Sequence, residues 1–157
     1  MADPVLEFYE DDGFTVIDSE NPLSFGLASK GGIALPTKEA QYPIQIWNDK
    51  GGGAGSVEMQ NVKIGIKDSL GGNTGEFILG TALNGNQPFM EARSDGATGT
   101  TDDAQGTFEA VGGDTFRDIG NIPANSGRDI FLRLNIPADA TVGAFNGLVV
   151  VDYTFEA

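Results

Sequence analysis

Twenty-three glycines are scattered through this chain without a collagen-like period, leaving only short runs rich in Val, Ile, Phe and Thr between them. Glycine weakens helix and strand interiors and is the usual residue where the backbone must turn through positive φ. Asn, Asp and Thr gather at the same places, marking them as turns. Many short apolar runs separated by frequent turn signals specify an all-β sandwich or barrel. No window of about 11–18 residues carries a helical apolar stripe, and only the Glu39–Ala40 neighbourhood and the 138–142 stretch allow a turn of helix.

The runs place the strands. Leu6 to Tyr9 and Thr15 to Ile17 flank "EDDG", a turn that permits a hairpin. Leu23 to Leu27 and Ile33 to Leu35 follow. "YPIQIWN" sets Ile44 and Ile46 against Gln45 and Trp47, the period of two expected of a half-buried strand. The cleanest alternation is in "VEMQNVKIGIKD", with Val62, Ile64 and Ile66 on one face and Lys63, Gly65 and Lys67 on the other. Glu76 to Leu79, Pro88 to Arg93, Thr107 to Val111 and Phe116 to Ile119 are further strand candidates. The last pair runs from Asp129 to Ile136 and from Leu148 to Phe155. Pro137 stops the first of them, because proline cannot donate to a ladder. The second is apolar on both faces, which predicts a strand central in its sheet or covered on both sides. Residues 83–108 are dense in Gly, Thr, Asp and Asn and read as a long loop insertion around a short strand. Nothing divides residues 1–157, so a single domain is expected, one long enough to bury about two-thirds of its unfolded surface.

Composition narrows the chemistry. The chain has no Cys and no His, which removes thiolate ligands and nucleophiles, disulfides and the commonest general base. Its 23 acidic and 9 basic residues give a formal charge of −14, a field that repels nucleic acid and anionic membranes, and no basic patch is visible in the sequence. "MADPVLEFYEDDG" lacks the basic start and apolar core of a secretory signal, so synthesis in the cytoplasm is expected. "GGGAG", "GGNTG" and "GATGT" lack the Gly-Lys-Ser/Thr ending of a phosphate loop. Asp11–Asp12 and Asp102–Asp103 are sequence neighbours in turns, not carboxylates facing across a cleft as glycoside hydrolysis needs. These features predict a protein that is not an enzyme.

Two kinds of residue remain as binding candidates. "SDGATGTTDD" offers Asp95, Asp102 and Asp103 as oxygen donors for calcium, although the spacing is not that of an EF-hand and the leading expectation is no cofactor. Trp47 and Phe131 alternate against apolar strand faces, so they point outward, where large aromatics mark an interface or a sugar platform. Burial of both sheet faces is the other outcome.

"IGNIPANSGRDIFLRLNIPADATVGAFNGLVVVDY" and "PIQIWNDKGGGAGSVEMQNVKIGIKD" resemble strand segments of immunoglobulin-like sandwiches, here without the Cys–Trp–Cys hallmark. With the acidity, the glycines and the missing Cys, the chain looks like the accessory, capsid-decoration proteins of tailed phages. The resemblance implies an antiparallel immunoglobulin-like or jelly-roll-like sandwich and a non-enzymatic virion protein that binds and stabilises the outer capsid surface. Its partners would be the major capsid protein and copies of itself, with a trimer favoured, and neither nucleic acid nor membrane. Residues 1–14 would form an N-terminal arm, with Leu6, Phe8 and Tyr9 joining Trp47 and Phe131 as contact residues. A tail or baseplate domain, or a carbohydrate- or surface-binding module, are the alternatives.

Overall fold

A computed structural model describes residues 3–52, 55–97, 107–141, 143 and 145–156, with residues 95–97 described in backbone only. The described residues form nine strands: β1 (Leu6–Tyr9), β2 (Ile33–Ala34), β3 (Ile44–Asn48), β4 (Met59–Asp68), β5 (Met90–Ala97), β6 (Glu109–Ala110), β7 (Arg117–Ile122), β8 (Ser126–Asn135) and β9 (Gly147–Thr154). They build two antiparallel sheets. The larger runs β1-β3-β8-β5-β6, with β2 continuing the β3 side of β8, and the smaller runs β7-β4-β9. The protein is an all-β sandwich, as its glycine spacing and alternation require.

The period of two explains the core. Ile44 and Ile46 of β3, Ile130 and Leu132 of β8, and Ala92 of β5 turn inward from the larger sheet; Val62, Ile64 and Ile66 of β4 and Ile119 and Ile122 of β7 meet them from the smaller. One buried polar side chain bridges the layers. Asn48, at the end of β3, donates from Nδ2 to the carbonyls of Val57 (2.8 Å) and of Ile122 in the other sheet (3.1 Å), and its Oδ1 accepts the Val5 amide at 3.2 Å.

Several expectations need correction. Glu76–Leu79 is one turn of α-helix (α1), not a strand, because Gly75 and Gly80 bracket it at φ of 88° and 80° and its amides bond back to Gly75. Ile78 is buried, while Phe77 stacks on Phe145 with ring centroids 3.6 Å apart. Leu23 to Leu27 forms no strand. Thr15 to Ile17 reaches β1 only through a bridge at Val16 and the Ile17 amide, at the turn that the Asp12 carboxylate pins through the Phe14 and Thr15 amides. Within the 83–108 insertion the strand is longer than expected, since β5 runs from Met90 to Ala97 beside β8, while residues 83–89 form turns and irregular chain. Residues 98–106 lie outside the described residues. Residues 6–9, within the segment expected as an arm, pair with β3 as a strand of the larger sheet. Finally, β9 is an edge strand, not a central one: among the described residues it pairs with β4 alone.

Candidate functional site

The outer face of the larger sheet gathers the aromatic and basic side chains that its strands turn away from the core. Register sets Glu7 opposite Trp47, Tyr9 opposite Gln45, Gln45 opposite Asp129, Arg93 opposite Phe131 and Glu91 opposite Arg133. Trp47, Tyr9 and Phe131, three of the residues expected at a contact surface, therefore share this face. Leu6 and Phe8 do not: strand alternation turns them to the other side, where they pack against the core.

At one end of the face, Lys50 sits among rings. Its Nζ lies 4.9 Å from the Trp47 ring centroid, 5.1 Å from Phe14 and 5.7 Å from Tyr9. Each such contact is attractive because the ring quadrupole faces the cation, by about 0.5–1 kcal/mol where water reaches it. The surroundings hold the rings. Trp47 Nε1–H donates to Gln45 Oε1 at 2.8 Å, and Gln45 Nε2 donates to the Asp11 carbonyl at 2.9 Å. Glu7 accepts the Tyr9 hydroxyl at 2.5 Å and the Lys50 amide at 3.0 Å. Phe14 remains 81% exposed, so the cluster presents an open aromatic edge to solvent.

The Glu7 carboxylate holds the Tyr9 proton through that short bond, and partial burial adds to the effect; the phenol is pushed up to about 12. A folded-state value above the unfolded one of about 10 keeps the proton on the native state. The stabilisation is complete below about pH 10 and is lost as pH rises through about 12. An ultraviolet titration of tyrosinate formation is expected to show a transition near pH 12 that disappears in Tyr9→Phe and moves down in Glu7→Gln. A titration unchanged by Glu7→Gln would remove this assignment.

At the other end, Phe131 packs edge-on against Tyr42 (4.9 Å, 77°), and the Arg93 guanidinium lies 4.4 Å over its ring. Arg133 covers Phe108 at 3.9 Å and donates from Nε to Glu91 at 2.8 Å, while Asn135 Nδ2 reaches the other oxygen of Glu91 at 3.3 Å. Asn84, Gln87, Pro88, Glu91, Asn135 and Pro137 surround a shallow hollow here. The face thus offers flat ring surfaces, guanidinium and ammonium groups, and a rim of amides with one carboxylate.

Phe14, Lys50, Tyr42, Arg93 and Phe108 were not legible as site residues. Arg93 sits opposite Phe131 in a strand pair, which a strand register would have suggested; Phe14 and Lys50 arrive from turns, where periodicity is silent. The calcium expectation falls elsewhere. Asp102 and Asp103, and the side chain of Asp95, lie outside the described residues. Among the described residues no group of three or more acidic side chains gathers as cation donors.

No family model and no curated protein matches this sequence. Among solved structures, a family 123 glycoside hydrolase from Clostridium perfringens superposes with a TM-score of 0.47 at 12% identity. That match covers 98% of this chain but only 25% of the enzyme, and neither the enzyme's activity nor its substrate is carried over to this chain.

Proposed function

We propose that this is a non-enzymatic virion structural protein that adheres through the outer face of its larger sheet, and that its specific role is capsid decoration. The observation that supports this most is the convergence of Tyr9, Trp47, Phe14 and Phe131 on that face, together with Lys50, Arg93 and Arg133 from a chain that has only nine basic residues. Aromatics and Arg are the side chains enriched at protein interfaces, and a few of them supply most of the binding energy. On this face Lys50, Arg93 and Arg133 offset Glu7, Glu91 and Asp129, so within a chain of charge −14 it is a near-neutral, ring-rich surface, which another protein can approach with less repulsion than the rest of the body. The narrower role rests on the likeness to phage decoration proteins.

The test is co-sedimentation with expanded shells of the major capsid protein of the same virion. The wild-type protein is expected to pellet with shells, and Trp47→Ala to weaken binding by about tenfold or more, as loss of an aromatic anchor does. Absence from the shell fraction would reject the role. Labelling of intact particles separates the shell from a tail or baseplate position.

A carbohydrate-binding module is the second reading, favoured by the hollow lined by Asn84, Gln87, Glu91 and Asn135 on the same face. Binding to a polysaccharide panel that is lost in both Trp47→Ala and Gln87→Ala, with no binding to shells, would replace the first reading with this one.

A further inference from the structure

The strand edges of the sandwich are not equally protected. Edges are usually blunted by shortness, bulges, charge or covering chain, because an open ladder pairs with other chains. The β1 edge is covered by residues 15–17 through the Tyr9–Val16 bridge and the Ile17 amide. Strands β2 and β6 are two residues long. Strand β7 is irregular, with register shifts against β4 and Gly120 at φ 80°. Strand β9 is less protected: among the described residues no further strand pairs with it, and its ladder with β4 is in register from Gly147 to Asp152, with a single shift beyond, between Gln60 and Lys63. It runs for eight residues, "GLVVVDYT", with one charge and no proline.

Main-chain direction along β9 follows from its neighbour. The Ile66 carbonyl accepts the Gly113 amide, on the β7 side of β4. In an antiparallel ladder the amide and carbonyl of one residue point the same way, and neighbours alternate. Ile66 therefore does not bond to Val149, its opposite residue, and the β4–β9 bonds fall at Gly65–Val150 and Lys67–Leu148. By alternation Val149, Val151 and Tyr153 direct their amides and carbonyls to the open edge, where no hydrogen-bond partner exists among the described residues. The same three side chains face inward, yet they are only partly buried, whereas Val62, Ile64 and Ile66 on β4 are at 0–2% exposure. Leu148 and Phe155 are 44% and 39% exposed beside them.

We propose that this edge is a self-association surface, in which β9 pairs antiparallel with β9 of a second copy about a two-fold axis at Val151. The occupant is another copy because the strand is complementary to itself. About that axis Val151 opposes Val151, and Val149 opposes Tyr153, an aromatic–β-branched pair of the kind that stabilises sheets. All three residues then exchange main-chain bonds with the second copy, and the two smaller sheets become continuous. The contact is isologous and closes at two copies, in contrast to the trimer that the family resemblance implies. The strong acidity of the chain does not oppose it locally, since Asp152 is opposite Lys63 on β4 and Lys67 flanks Leu148.

The inference is independent of the aromatic face and is tested on the whole chain by sedimentation, with Val150→Glu and Val151→Cys. Val150 is opposite Gly65 and diagonal to Lys63 and Lys67, so a glutamate there is compatible with the folded monomer. In the dimer it would oppose Asp152 of the second copy, twice over. The wild type is expected to sediment as a dimer and Val150→Glu as a monomer with unchanged circular dichroism. Because the chain has no other cysteine, Val151→Cys is expected to form a covalent dimer on mild oxidation. A wild-type monomer at the highest soluble concentration, a trimer, or a dimer that survives Val150→Glu would each overturn the proposal.

Discussion

Asn48→Ala is expected to lower the unfolding free energy by about 3 kcal/mol, and thus the melting temperature by roughly 6–12 °C for a domain of this size. The side chain is fully buried and serves three main-chain groups: the Val57 and Ile122 carbonyls and the Val5 amide. Truncation removes a buried partner from the Ile122 carbonyl and a part-buried one from the Val57 carbonyl and the Val5 amide, and a buried orphan costs about 1–3 kcal/mol, with less for the two that water can reach. The loss is structural at the scale of the whole sandwich, because Ile122 belongs to the smaller sheet and Asn48 to the larger. Asn48→Asp sharpens the test. An aspartate has no amide to donate, so a charged oxygen would face two carbonyls, and burial would raise its pKa in the folded state. A raised folded value means that the native state holds the proton longer, so stability is greatest below the unfolded value of about 3.9 and falls as pH rises. Denaturation near pH 4 and at pH 7 should show Asn48→Asp losing further ground at pH 7, with Asn48→Ala keeping a constant distance from wild type. An Asn48→Ala protein within about 0.5 kcal/mol of wild type would refute the bridge between sheets.

Gly80→Ala is expected to be as damaging or worse, at about 3–5 kcal/mol. Gly80 ends α1 at φ 80° and ψ −174°, a backbone region essentially reserved for glycine. An added Cβ would stand 2.2 Å from the Gln87 nitrogen, 2.3 Å from its carbonyl oxygen and 2.5 Å from the Asn86 carbonyl carbon. These are main-chain atoms, so no rotamer change relieves the clash. Gly71→Ala is the control: it has the same φ of 80° but nothing within 4 Å of the added carbon, and should cost only about 1–2 kcal/mol. Urea midpoints of the two variants decide the matter, and equal midpoints would mean that the 80–87 contact contributes nothing.

How much of this was legible in the sequence depends on which residues are considered. The β3, β4 and β8 strands could be read because a strand with one buried face writes its period of two into the chain, as Ile44/Ile46, Val62/Ile64/Ile66 and Ile130/Leu132/Leu134 do. The four residues Glu76–Leu79, three of them apolar, could not be read, since so short a run is compatible with a strand or a helical turn; the two flanking glycines decided it. Grouping Leu6, Phe8 and Tyr9 as one contact set ran against the same period of two, which sends Leu6 and Phe8 inward and Tyr9 to the outer face. The outward positions of Trp47 and Phe131 followed from alternation, whereas Lys50 and Phe14 joined them through turns.

The sequence by itself determined the class of fold, most strand positions and which side chains of a strand travel together, because these depend on local backbone preference and on neighbours two residues apart. The tertiary structure decided everything that depends on which strands lie side by side. Apolar side chains on both faces of Leu148–Phe155 suggested a strand central in its sheet or covered on both sides, but side-chain patterning records burial above and below a sheet and carries no information about whether main-chain bonds on both edges are taken. That is why the covered arm, the aromatic ring around Lys50 and the open edge of β9 are properties of the assembled sandwich, set by pairings between segments remote in the chain.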